Sequence, residues 1–240
     1  MEHALLWGGF YFVSLVNQEI TPKVNREKDV YWIIGYGSLM HPYSLKRTVP
    51  DITIGQTKPV RVVGYRRIFN LTLVRSWKKD CTGQQAAAVL NIETHSGSEF
   101  GGVAFPVGKS GLSALDQREY IYRRMTGVEC LDLKSGEVLS QCNLYTALSG
   151  EELRSQKTSF YEKRVRPLGL ESLVSKEILP IDQYLSLCLQ GAYWWGEQFG
   201  DHFVRNTFLG DAETPLSAFL TEGDVERRLS LDLAQYIQKR

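Results

Sequence analysis

The chain has 240 residues, 43% of them hydrophobic and 23% charged, with 21 glycines and 12 tyrosines; this is the make-up of a folded protein with a real core, not of a disordered or fibrous one. Its 28 basic and 27 acidic side chains leave a formal charge of +1 and form no block of five like charges, which speaks against a nucleic-acid partner or an acidic-membrane footprint. Cys81, Cys130, Cys142 and Cys188 form no C-x-x-C pair, and His3, His41, His95 and His202 show no ligand spacing, so neither a structural zinc nor a disulfide framework is expected.

In chain order, Ala4-Leu5-Leu6-Trp7 and Phe10 to Val16 form an apolar run that is too short to span a bilayer and lacks a basic n-region. A packed N-terminal strand or a misplaced start codon accounts for it, and residues 1–28 are read as an N-terminal extension of one domain covering 1–240. With no targeting segment expected and reduced thiols, the protein is read as cytoplasmic and not membrane-bound. Asp29-Val30-Tyr31-Trp32-Ile33-Ile34 is rich in β-branched and aromatic residues and predicts a strand that stops at Gly35-Tyr36-Gly37-Ser38. Further strands are expected at Val60 to Val63, Ile68 to Val74, Ala86 to Ile92 and Gly102 to Val107.

After Val107 the pattern turns helical. Ser110 and Ser113 are both plausible N-caps, Ser113-x-x-Asp116 fits a capping box, and the helix is expected to run to about Met125 and end at Gly127. Val128 to Leu133 and Val138 to Tyr145, around a turn at Lys134-Ser135-Gly136, predict a hairpin. From about Gly169 the chain is again helical, with Tyr184 to Leu189 in one segment and Val225 to Ile237 in another. The expected architecture is α+β: a mixed, curved or barrel-like β-sheet with one inserted helix and a helical C-terminal section over 169–240.

On a helical wheel of about 100° per residue, Leu112, Leu115, Glu119 and Tyr122 fall within roughly 80° of one another. Glu119 would thus sit in the apolar stripe, where a carboxylate needs a partner or a raised pKa; the latter suits a general base. The alternative is an ordinary helix ion pair to Arg123 four residues on.

Gly35-Tyr36-Gly37-Ser38-Leu39 could present closely spaced backbone N–H groups as an anion or oxyanion nest, or be a tight turn with no ligand. A dinucleotide fingerprint would need glycine in place of Met40, and a nucleophile elbow glycine in place of both Tyr36 and Met40, which leaves Ser38 a poor nucleophile.

Ile34-Gly35-Tyr36-Gly37-Ser38-Leu39 resembles the loop of gamma-glutamylcyclotransferase-like proteins, including their glutathione-degrading branch. Gly102 to Val107 leading into Leu115-Asp116-Gln117-Arg118-Glu119 looks like that family's second motif, a strand followed by a helix bearing a catalytic glutamate. Val63-Gly64-Tyr65-Arg66-Arg67-Ile68-Phe69 is similar to a stretch between the two. The resemblance covers about residues 30 to 147. It implies a gamma-glutamylcyclotransferase-like fold and a cofactor-free, metal-free reaction on a small-molecule gamma-glutamyl substrate. Glu119 would move the proton, and Tyr36, Gly37, Ser38, Leu39 and Tyr122 would hold the substrate.

The products would be 5-oxoproline and an amine, amino acid or peptide. Two alternatives stand beside it: a non-catalytic gamma-glutamyl or amino-acid sensor, and a pathway-specific enzyme that removes a gamma-glutamyl protecting group. Tyr120-Ile121-Tyr122-Arg123 departs from the glycine-containing stretch common in the family, so the leaving amine is not assigned; nor is the oligomeric state. Tyr193, Trp194, Trp195 and Phe199 are read as helix-core packing in preference to pocket lining, and His41 is left out of the site.

Overall fold

The β-rich run after Val30 is the centre of the sheet in the computed structural model, which describes residues 30–76 and 85–239. The apolar N-terminal run, the extension over 1–28 and Cys81 lie outside the described residues. β1 (Tyr31–Gly35) buries Ile33 and Ile34 on opposite faces, as a strand enclosed on both sides must. It pairs antiparallel with β3 (Gln85–Val107), Tyr31 opposite Val107 and Gly35 opposite Val103, and parallel with β5 (Val138–Ala147), Ile33 opposite Asn143.

β4 (Tyr122–Asp132) pairs with β5 and with β2 (Lys58–Thr72), and β2 pairs back onto β3. The ring β3-β1-β5-β4-β2 is therefore a five-stranded mixed barrel. Short parallel strands extend it, β6 (Ile178–Pro180) on β3 and β7 (Thr207–Leu209) on β2.

Two pairs of expected strands are single long ones. Val60 to Val63 and the expected Ile68 to Val74 strand, which stops at Thr72 before a 3-10 turn over Val74–Ser76, are both β2, and Ala86 to Ile92 and Gly102 to Val107 are both β3, because cross-strand pairing such as Tyr65 with Thr94 carries the ladder through the polar stretches between them. The register slips between Val63 and Tyr65, where Gly64 has φ +85°, and such a bulge lets a long strand turn a barrel corner.

α1 (Pro42–Thr48) follows the loop after β1, and α2 (Lys109–Arg118) is the helix inserted between β3 and β4. α2 is capped by Gly108, not by Ser110 or Ser113, and it ends at Arg118, not near Met125. The Tyr122 N–H donates to the Glu119 carbonyl at 2.8 Å in a turn, and Tyr122 then opens β4 opposite Ala147. Tyr120-Ile121-Tyr122 are strand formers, and a partner strand outweighs the continued helix. Glu119 and Tyr122 therefore do not share a helical stripe. Gly127, with φ +73°, ends no helix; it sits in the register slip of β4 between Met125 and Val128.

Helical structure resumes at Gly150, earlier than expected. α3 (Gly150–Gln156) starts at a capping box between Ser149 and Glu152, and α4 (Thr158–Phe160) continues through a π turn, Tyr161–Val165, and a 3-10 turn, Arg166–Leu168. α5 (Asp182–Tyr193), α6 (Glu197–Arg205), α7 (Leu216–Phe219), α8 (Glu222–Leu229) and α9 (Ala234–Lys239) complete the chain. The segment expected over Val225 to Ile237 is thus two helices, α8 and α9.

α5 lays Leu185, Cys188, Leu189 and Ala192 against the barrel as part of the main core. Cys130 and Cys142 are free, buried thiols on neighbouring strands, their Sγ atoms 3.7 Å apart, and Cys188 is free and buried. Among the described residues, no helix is long and apolar enough to cross a membrane.

Candidate active site

The loop after β1 is held from three sides. Gly35 ends the strand, and Ser38–Met40 form one 3-10 turn in which Met40 N–H donates to the Gly37 carbonyl at 2.9 Å and His41 N–H to that of Ser38 at 3.3 Å. The N–H groups of Ser38 and Leu39 open the turn and lie outside its internal bonding. Tyr36 points inward, its hydroxyl donating to the Tyr145 carbonyl at 2.6 Å. Burial, with Tyr122, Tyr184 and Glu119 nearby, holds that phenol well above the ordinary tyrosine range, so it stays a donor.

Arg67 clamps the loop from beneath. It is fully buried, and donates to the carbonyls of Tyr36 at 3.3 Å and Gly101 at 2.7 Å and to the Thr207 hydroxyl at 2.8 Å, with its guanidinium 4.0 Å from the Phe203 ring centre. Burial lowers its pKa to about 9, which leaves it charged at neutral pH. From above, α5 presses so closely that a Cβ on Gly37 would lie 2.6 Å from the Tyr184 hydroxyl, and the Trp195 indole N–H donates to the Met40 carbonyl at 3.0 Å.

The opposite wall is the turn after α2. Glu119 is the C-cap residue of α2, its side chain 18% exposed and paired to Arg118 Nε at 3.3 Å. The same guanidinium donates to Ser38 Oγ at 3.3 Å and to Thr48 Oγ1, so one side chain ties the glutamate to the loop. Arg123, the alternative partner four residues on, bonds Glu152 at 2.7 Å instead, because the helix has ended and Arg123 lies on β4. The Tyr122 hydroxyl donates to the Leu90 carbonyl at 3.0 Å. Tyr145 donates to Asp116 at 2.8 Å; burial and that bond raise its pKa.

Between the two walls is a cavity of about 670 Å³, and all six residues expected from sequence, Tyr36, Gly37, Ser38, Leu39, Glu119 and Tyr122, line it. Arg118 and Tyr184 also line it and were not singled out; Arg118 stood in the quoted motif, whereas nothing near Tyr184 marked it. The third wall is the segment Thr158–Leu168, which contributes Phe160, Lys163, Arg164, Pro167 and Leu168 and is tied to the glutamate turn by an edge-on contact of Phe160 with Tyr120, ring centres 5.0 Å apart.

Tyr193, Trp194, Trp195 and Phe199 are not in this wall. Trp194 is exposed and Phe199 belongs to the core. His41 caps α1, accepting from the Tyr43 N–H at 3.3 Å, and burial lowers its pKa. Among the described residues, no three His, Cys, Asp or Glu side chains come together as a metal site.

No protein-family model matches the sequence, and no curated protein is a significant match to it. Solved structures do match. YkqA from Bacillus subtilis aligns at TM-score 0.50 and 19% identity over 72% of this chain and 52% of its own, so this chain spans about half of that protein. An uncharacterized protein from Homo sapiens aligns at TM-score 0.50 and 15% identity, covering 84% of this chain and 99% of that one. A gamma-glutamyl cyclotransferase aligns at TM-score 0.50 and 14% identity, covering 88% of this chain and 100% of that one. At such identities the likeness speaks for architecture, and the chain has the gamma-glutamyl cyclotransferase-like fold.

Proposed function

We propose that the protein is a cofactor-free cyclotransferase that releases 5-oxoproline and an amine from a gamma-glutamyl substrate. The observation that carries this reading is that Glu119 and the Tyr36–Leu39 turn, some eighty positions apart in sequence, face one cavity and are joined through Arg118. The free α-amine of a gamma-glutamyl group can close a five-membered ring on its own γ-carbonyl, so the protein need supply no nucleophile. It has to hold the folded-back conformer and manage protons and charge.

In this reading the Ser38 and Leu39 N–H groups receive the substrate's α-carboxylate or the developing oxyanion, with Tyr122 beside them. Glu119 takes a proton from the α-ammonium, and the freed amine attacks the γ-carbon to give a tetrahedral oxyanion. Glu119 returns that proton to the departing nitrogen as the C–N bond breaks. A second proton then leaves the ring nitrogen by the same carboxylate, so that two protons pass from the α-nitrogen to the leaving amine and the lactam remains. Arg118 keeps the carboxylate aimed at the loop.

The test is 5-oxoproline release, without added metal, from glutathione, gamma-glutamyl amino acids and gamma-glutamyl amines, with Glu119→Gln alongside. Release by the wild-type protein that falls about 100-fold or more in a folded Glu119→Gln variant is expected. Wild-type turnover by that variant would remove Glu119 from the chemistry. Ligand-induced thermal stabilisation with no product would make the protein a sensor.

A further inference from the structure

The charges around the cavity are one-sided. Among the described residues its wall holds four basic side chains, Arg75, Arg118, Lys163 and Arg164, and one acidic one, Glu119. Arg118 and Glu119 pair with each other. Among the described residues, Arg75, Lys163 and Arg164 have no carboxylate within ion-pair distance. The nearest acid in sequence to the latter two, Glu162, is taken by Arg166 at 2.8 Å. Among the described residues, three cations of the cavity lining thus lack an acidic partner.

They come from two separate places, Arg75 from the turn after β2 and Lys163 and Arg164 from the Thr158–Leu168 segment, which the Tyr120–Phe160 contact holds over the site. A gamma-glutamyl group brings one α-ammonium and one α-carboxylate, together neutral, and these are already met by Glu119 and the loop. The other basic side chains of the lining are left to act on the rest of the substrate, the leaving amine.

We propose that Arg75, Lys163 and Arg164 determine specificity by selecting a leaving amine that carries acidic groups, carboxylate or phosphate, with preference rising with its negative charge. This rests on the cyclotransferase reading of the same cavity. All three side chains are exposed, so the attraction is screened by water and salt and acts as a selectivity filter. A cationic leaving amine, such as a diamine, is disfavoured by the same field.

The measurement is kcat/KM for four compounds differing only beyond the scissile bond: the gamma-glutamyl derivatives of 1,2-diaminoethane, ethylamine, glutamate and O-phosphoethanolamine. In low salt, both acidic compounds should exceed the ethylamide by about tenfold or more, with the diamine lowest, and about 0.5 M salt should compress the series. The glutamate and phosphate arms decide which acid is favoured. Lys163→Glu/Arg164→Glu should invert the order, raising the diamine above the acidic compounds. Equal kcat/KM across the series, or an order unmoved by that variant, overturns the proposal while leaving the reaction intact. If nothing is turned over, the reaction is wrong, and calorimetric binding of the same four compounds decides the charge filter: tighter binding of the acidic pair supports it, equal binding ends it.

Discussion

Two of the cavity's three walls differ in character. The Tyr36–Leu39 loop is buried and fixed by long-range contacts: Arg67 from 31 positions away, the Tyr145 carbonyl from 109 and the Trp195 indole beyond it. The Thr158–Leu168 wall consists of short α, π and 3-10 pieces with exposed cations, tied to the glutamate turn by one aromatic pair. A rigid wall suits groups every substrate shares, since fixed donors stabilise charge without reorganising. The exposed positions of that wall, such as Lys163 and Arg164, can vary at little cost to the core, to which the same segment gives Tyr161 and Val165, and this suits the part of the substrate that distinguishes one compound from another.

Removing the chemistry should produce the largest effect: Glu119→Gln costs roughly 3 kcal/mol or more of barrier while thermal unfolding stays close to wild type. Next is the clamp. Arg67→Ala leaves buried carbonyls without their charged donor and opens space under Phe203, so urea unfolding should show a loss of about 3 kcal/mol or more, whereas Lys163→Ala should fall within about 0.5 kcal/mol. Similar losses for the two would erase the distinction between the walls.

Gly37→Ala sharpens the comparison on the rigid side, because its methyl would stand 2.6 Å from the Tyr184 hydroxyl. A loss of about 1–3 kcal/mol in stability is expected, typical of overpacking. Tyr184→Phe removes the colliding oxygen, leaving the next Tyr184 atom at 3.7 Å and Leu90 Cδ1 at 3.3 Å, so the double variant should be more stable than the sum of the singles implies. Strict additivity would mean that the loop gives way elsewhere. A smaller effect is expected at Phe160: Phe160→Ala, losing its contact with Tyr120, should cost about 1 kcal/mol of stability and raise KM more than it lowers kcat.

Much of the rigid wall was legible in sequence. Trp32-Ile33-Ile34 followed by Gly35-Tyr36-Gly37-Ser38 marks a strand running into a turn, and Val128 to Tyr145 reads as a hairpin. Glu119 also stood out, although for a reason the structure corrects: it occupies the end of α2, not the middle of a longer helix. The period of Leu112, Leu115 and Glu119 continues into Tyr122 on paper, but β5 offers Tyr122 a strand partner, and that competition is invisible to local pattern. Arg67 stood in a quoted stretch with no role, since its three acceptors lie on three distant segments. The exposed wall was hardly legible, because short polar helices carry no strong periodicity.

By itself the sequence determined the strand-forming runs, the turn after β1, the hairpin and the residues able to do acid–base chemistry, all of which depend on neighbours a few positions apart. Only tertiary structure decided where α2 stops, that two pairs of short runs are single bent strands, and that Arg67, Arg118, Tyr184, Lys163 and Arg164 converge with the loop. Those outcomes follow from barrel closure and from the packing of the later helices on it, which bring together segments more than a hundred positions apart and let burial, cross-strand pairing and charge act between them.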